Sequence, residues 1–153
     1  MTTPLHALLH KIASTADFSE MTFADVNEAN VLGDNALHCV AVWGDLGAAK
    51  LLVEAGVDVN KFGERGFTPL HVACAFGHME LVRYLVASGA DLHARSEGDL
   101  PFTTARLSRQ DAICDYLAPL MVSAQEKDRD IYIKSRIGQL KREIAALEAK
   151  LQS

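Results

Sequence analysis

Proline and glycine are scarce, at 4 and 10 of 153 residues, which excludes a collagen-like or a low-complexity chain. No stretch approaches the roughly 18 uninterrupted apolar residues that a membrane span needs. Met1 to His10 lacks the basic start and apolar run of a signal peptide, so the expectation is a cytoplasmic protein. The three cysteines, Cys39, Cys74 and Cys114, form no C-x-x-C pair, and their odd number argues for free thiols rather than a disulfide framework. An excess of positive charge is also missing. The formal net charge is −5, and residues 1–125 carry 8 Lys/Arg against 15 Asp/Glu. Such a body repels phosphate and weighs against nucleic acid as a partner. Only residues 126–153 reverse the sign, with 7 against 5.

What is present is 49% apolar and 23% charged residues in one domain's length, enough for a core without staples. Leu37-His38, Gly44, Leu52, Gly56 and Asp58 recur 33 residues later as Leu70-His71, Gly77, Leu85, Gly89 and Asp91. In Thr68-Pro69-Leu70-His71 the threonine suits an N-cap and the proline a first helical position, where its missing N–H costs nothing. That helix ends at Gly77, a second runs from about Met79 to Ser88, and Gly89 closes it. One such helix pair cannot bury its apolar face alone, so each repeat completes its core on the next.

These residues resemble the ankyrin repeat, through Thr68-Pro69-Leu70-His71-Val72-Ala73-Cys74, Gly77-His78, Leu81-Val82, Leu85-Val86 and Gly89-Ala90-Asp91. A weaker copy covers Asn35 to Asn60. Thr3-Pro4-Leu5-His6 with Ala24-Asp25-Val26-Asn27 reads as a degenerate first repeat. The last copy starts at Gly98, with Leu100-Pro101-Phe102-Thr103 at the initiating position. There Arg106 replaces the small residue at Cys74 and Arg109 the helix-ending Gly77, changes that suit a terminal repeat with a polar outer face. The fold class expected is therefore all-α: an ankyrin-repeat solenoid of about four repeats, the first and last being caps, over residues 1–121. A long amphipathic helix follows over residues 122–153.

Pro119 is expected to interrupt the last repeat's second helix, and Ser123 with Glu126 to cap a new one. In it Ile133, Ile137, Leu140, Ile144, Leu147 and Leu151 are spaced 4, 3, 4, 3, 4, a heptad seam with Ile, Ile, Leu at a and Ile, Leu, Leu at d. That pattern favours two strands. The flanks oppose a parallel homodimer, since Arg136 would face Lys141 and Glu143 would face Glu148. Each repulsion costs a few tenths of a kcal/mol, against about 1.5–3 kcal/mol for burying one Ile or Leu. Gly138 weakens the helix by about 1 kcal/mol. Three roles stay open for the seam: a cap on the last repeat, a homodimeric coiled coil, or a contact with another protein's helix.

No nucleophile elbow, phosphate-cradling loop or zinc signature is present, so an enzyme and a cofactor are not expected. His6 and His10 stand one helical turn apart without a third ligand, and no metal site is expected. Cys74 reads as a buried inert thiol. The resemblance implies that His38 and His71 tie neighbouring repeats by hydrogen bonds. It also implies that turn tips and the exposed side of each first helix face a concave binding surface. Carried onto this chain, the partner-binding candidates are Val31, Leu32, Asp34, Val42, Trp43, Leu46, Glu64, Arg65, Phe67, Phe76, Met79, Glu97 and Asp99. Trp43 and Phe76 lie one period apart and should sit side by side, with Leu46 and Met79 in a parallel row. Apolar anchors inside an acidic rim have the anatomy of a protein interface. The likeness extends to small stand-alone ankyrin proteins of bacteria, some of which neutralise a toxin or effector encoded alongside. By that analogy the chain is read as a protein-binding module, narrowly an inhibitor or immunity protein; the alternative is a structural oligomer joined through its tail.

Overall fold

The computed structural model describes residues 2–152, apart from the side chains of residues 122–132. Two helix pairs form its centre: α2 (Ala36–Trp43) with α3 (Leu46–Glu54), and α4 (Pro69–Phe76) with α5 (Met79–Ala87). The sequence sets their starts. Asn35 accepts hydrogen bonds from the N–H groups of Leu37 and His38, Thr68 accepts from His71, and Asp45 accepts from Ala48, each satisfying donors that a helix start leaves without a partner. Gly44 (φ 71°) and Gly77 (φ 76°) end α2 and α4 in the left-handed conformation, where a side chain is disfavoured.

Like helices of successive repeats pack together. α4 lies between α2 and α6 (Pro101–Leu107), and α5 packs on α3. Leu37, Leu52, Leu70, Leu81 and Leu85 are almost wholly buried between these layers. Two ladders of polar bonds hold the repeats in register. In the first, the backbone N–H groups of Asn35 and Thr68 donate to Nδ1 of His38 and His71 respectively. The proton therefore sits on Nε2, which donates to the Phe67 carbonyl from His38 (2.9 Å) and to the Asp99 carbonyl from His71 (3.1 Å). The tie implied by the family likeness is thus present in both central repeats. In the second ladder, Asn27 and Asn60 each clamp the repeat that follows. Asn27 Nδ2 donates to the Gly56 carbonyl and its Oδ1 accepts from Asp58 N–H; Asn60 does the same with Gly89 and Asp91. His93 stands at the next equivalent position, where the chain has reached its last repeat.

The loop tips carry strain. At Arg65-Gly66 and Glu97-Gly98 both residues have positive φ, 56° and 77° in one tip and 49° and 97° in the other. Ser96 and Asp99 exchange both backbone hydrogen bonds across the second tip, the geometry of a two-residue turn with both central residues left-handed. Arg65 Nη2 meets Glu97 Oε2 at 2.9 Å. The pair is exposed, and it links the tips of neighbouring repeats.

The end repeats depart from the period. α1 (Pro4–Ala13) starts as expected, with Thr3 accepting from His6 N–H, but only a single 3-10 turn, Ala16–Phe18, stands where the central repeats carry their second helix. Phe18 and Phe23 are buried there with ring centroids 5.9 Å apart, so two aromatic rings fill space that a helix would fill. In the last repeat Arg106 is exposed, and Arg109 keeps the left-handed turn at φ 58°. The turn therefore survives without glycine, at the strain that a Cβ adds there.

One helix, α7 (Asp111–Leu151), passes through Pro119. The expected interruption at Pro119 is corrected by this continuity. Proline withholds one N–H, while the many bonds of a long helix on either side remain. The Ser123 and Glu126 side chains expected to cap a new helix fall outside the described residues. Contacts divide the chain into compact units Met1–Asp115 and Tyr116–Ser153; the boundary expected after residue 121 lies further along the same helix. Within the second unit all six seam residues are exposed, from 41% at Leu140 to 86% at Leu151. No described helix is long and apolar enough to cross a membrane.

Candidate interaction site

Repetition places equivalent residues of α2 and α4 on one side of the first unit, and the loop tips rise beside them. Between them lies a cavity of about 300 Å³. Six of the thirteen candidate residues line it: Asp34, Val42, Trp43, Glu64, Phe67 and Phe76. Trp43 and Phe76, one period apart in sequence, thus share one cavity. The other lining residues are Thr15, Asp17, Phe18, His38, Cys39 and Val72, none of which was a candidate. Thr15, Asp17 and Phe18 belong to the irregular first repeat, where no period marks them. His38 and Cys39 read as scaffold because they sit at repeated helix positions.

Phe76 is 56% exposed and stacks on His78, with centroids 6.3 Å apart and planes 6° apart. His78 Nε2 in turn donates to the Val42 carbonyl across the repeat boundary at 2.9 Å, which fixes the ring that supports Phe76. Trp43 is half-buried, and Lys11 Nζ lies 4.6 Å from its ring centroid. Phe67 is half-buried and leans on His71. Asp34 is held rather than free. Its Oδ1 accepts the Glu64 N–H at 2.8 Å and lies 3.8 Å from His38 Nε2, and a Cβ on Gly63 would collide with both the carboxylate and the imidazole. Glu64 projects from the tip and is exposed.

The remaining candidates lie elsewhere. Leu46 and Met79 begin α3 and α5 as a matching half-buried pair, outside the cavity. Val31 and Leu32 form an exposed apolar tip, Val31 at 96%. Phe62, also exposed, was not among the candidates; a large aromatic in a loop was the available signal. Arg65 and Glu97 are engaged with each other, and the Asp99 carbonyl serves the histidine ladder.

Cys39, His38 and Asp34 line one cavity, yet they do not form a nucleophilic centre. Both ring nitrogens of His38 are committed to backbone groups, and burial pushes the Cys39 thiol up to about 11. A thiol held protonated beside an imidazole with no free base is inert. Burial likewise pushes Cys74 up to about 12. Among the described residues no group of three or more His, Cys, Asp and Glu side chains is placed to hold a metal.

Burial lowers the pKa of both His38 and His71 from the ordinary 6.5. Their hydrogen bonds require a neutral Nδ1 acceptor, so the unfolded chain binds protons that the folded chain refuses. Stability is then fully present above pH 6.5 and falls as pH drops below it, down to the folded pKa values. Urea midpoints measured from pH 7.5 to 5 should fall through this window, and the fall should shrink in a His71→Gln variant. A flat profile would show that the ladder histidines take up protons without loss.

A family model described as ankyrin repeats (3 copies) matches residues 5–96 and 62–133. No curated protein matches the chain.

Proposed function

Because the chain belongs to the ankyrin-repeat family, whose repeats are generally protein-interaction modules, we propose that it binds a protein partner through the face that carries Trp43 and Phe76. The supporting observation is the cavity that these two rings both line, one of them more than half exposed, with carboxylates in the same wall. An accessible aromatic cluster within a charged rim is the arrangement expected of interface anchors. The Val31-Leu32 tip and Phe62 extend the apolar surface along the loops, and Arg65 and Glu97 belong to its rim. Binding acts by occupancy, without chemistry. By family likeness the narrower reading is an inhibitor or immunity protein that covers a toxin or effector. The test is capture of partners from the native cell with the wild-type chain, the Trp43→Ala, Phe76→Ala pair, and a Glu54→Lys control at the end of α3. A protein retained by wild type and control but lost by the pair supports this face. One retained equally by all three removes it.

A second reading concerns the tail. Six exposed Ile and Leu residues in strict heptad register favour association through α7, and a second copy of the chain offers a matching seam. The repelling flanks make that dimer modest. Replacing Leu140 and Leu147 by glutamate should convert a dimer into a monomer by sedimentation, with unfolding of the repeats unchanged. A wild-type chain that is monomeric at high micromolar concentration would exclude self-association as the tail's role.

A further inference from the structure

We infer that the Trp43–Phe76 cavity is a seat for a guanidinium: the partner inserts an arginine side chain there, between aromatic faces and carboxylates. This deepens the interaction reading above and rests on it. Three observations converge.

The first is the lining itself. Trp43, Phe67 and Phe76 provide π surface, Asp17, Asp34 and Glu64 provide negative charge, and no lysine or arginine lines the cavity. The one ionisable base in the wall, His38, is kept neutral by burial and has both nitrogens in use. An ordinary apolar anchor from a partner would leave three carboxylates beside a desolvated contact, an arrangement that penalises it. A cation turns the same carboxylates into partners.

The second is that the chain already places a cation on this indole. Lys11 Nζ lies 4.6 Å from the Trp43 centroid, within the range in which a cation is attracted to an aromatic face. Lys11 is not part of the cavity wall; its charge reaches Cys39 in that wall, where the carboxylates of Asp17, Asp34 and Glu64 outnumber it.

The third is shape and preorganisation. About 300 Å³ is at the small end of ligand clefts, suited to one side chain rather than a helix. The Asp34 carboxylate is already fixed by the Glu64 N–H, and Phe76 is fixed by stacking on His78. Arginine fits better than lysine, because its planar fork stacks on rings while donating to carboxylates on its edge. The acid excess of residues 1–125 adds a long-range attraction for a basic partner.

Trp43 is the sole tryptophan, which gives the site its own reporter. The full-length chain, labelled with nitrogen-15, is titrated with N-acetylarginine methylamide, and with the citrulline analogue, which has nearly the same shape and no charge. The arginine probe should shift the indole N–H of Trp43 and the amides of Glu64 and Phe76 saturably. The citrulline probe should bind about tenfold more weakly. Glu64→Gln should weaken the arginine probe about threefold and Phe76→Leu by a similar factor, the leucine keeping apolar bulk while removing the ring. Equal affinity for both probes, unsaturable shifts spread over the acidic surface, or no shift at Trp43 would overturn the seat. If the probe fails while a captured partner still depends on Trp43, the seat is wrong and the interface reading stands. If the probe seats but the captured partner ignores Trp43→Ala, the interface reading fails, and with it the claim that the seat serves that partner.

Discussion

Truncating Leu85 to alanine lowers the free energy of unfolding by about 2–5 kcal/mol, the range for removing a buried leucine and leaving a cavity. The size follows from position. Leu85 lies in α5 with no exposed surface, and its carbonyl accepts the Ala90 N–H at 2.9 Å, so helix and following loop leave little freedom to close the gap. A domain of this length is stable by only about 5–15 kcal/mol, so the variant should lose a large share of its margin. The loss also reaches beyond one residue. In a stack each repeat is held by its neighbours, and α5 belongs to a central one. Chemical denaturation of the wild type, Leu85→Ala and Leu107→Ala measures this. Leu107 is 68% exposed, and its truncation should change stability by less than about 0.5 kcal/mol. A loss below about 1 kcal/mol for Leu85→Ala would mean that the repeat register placing this leucine in the core is wrong.

The register was legible because its signals are local and repeat. A threonine and proline at Thr68-Pro69, a histidine three residues after each cap and a glycine at each first-helix end each act within a few bonds, and the period multiplies them. Where local rules met opposing tertiary forces, the reading was poorer. Pro119 looks like a stop because it lacks one donor, yet α7 continues through it. The first repeat was recognised by its start, but its missing second helix was not, because two buried phenylalanines do the packing there. Arg109 was read as replacing the helix-ending glycine in a terminal repeat; the left-handed turn remains there, held by the surrounding repeat against the strain of a side chain.

The lining of the candidate cavity was half legible for a related reason. Variation within a repeat marks Trp43, Glu64 and Phe76, because scaffold positions are predictable and these depart from them. It does not mark Asp17 and Phe18, which reach the same cavity from a segment with no period. Nor does it show that a variable residue has been put to structural use. Asp34 stands at a tip, as a rim charge would, and the structure spends its carboxylate on the Glu64 N–H and the neighbourhood of His38. Reversing its charge would damage the loop as well as the rim. Glu64, with its exposed side chain, is the cleaner rim position.

Removing the aromatic anchors should weaken partner binding by about 2 kcal/mol or more for each of Trp43→Ala and Phe76→Ala, the range of interface hot spots. The two should differ in what they do to the free protein. Phe76 is more than half exposed, so its loss should leave the unfolding midpoint nearly unchanged. Trp43 is half-buried and faces Lys11, so its removal should also cost stability, about 0.5–1 kcal/mol from the cation contact and more from lost packing. Trp43→Phe separates these effects, since it keeps a ring for packing while reducing the surface offered to a partner. Because both side chains line one cavity, their effects should not add: residues sharing a partner group couple by about 0.5–3 kcal/mol. Glu64→Lys should act on a different quantity, slowing association and weakening its salt dependence while changing dissociation less, because exposed charges steer encounter. Binding kinetics with a captured partner at two salt concentrations resolve all of these. Unchanged affinity after loss of both rings would place the interface elsewhere on the stack. Purely additive losses would mean that the rings contact separate parts of the partner rather than closing on one group.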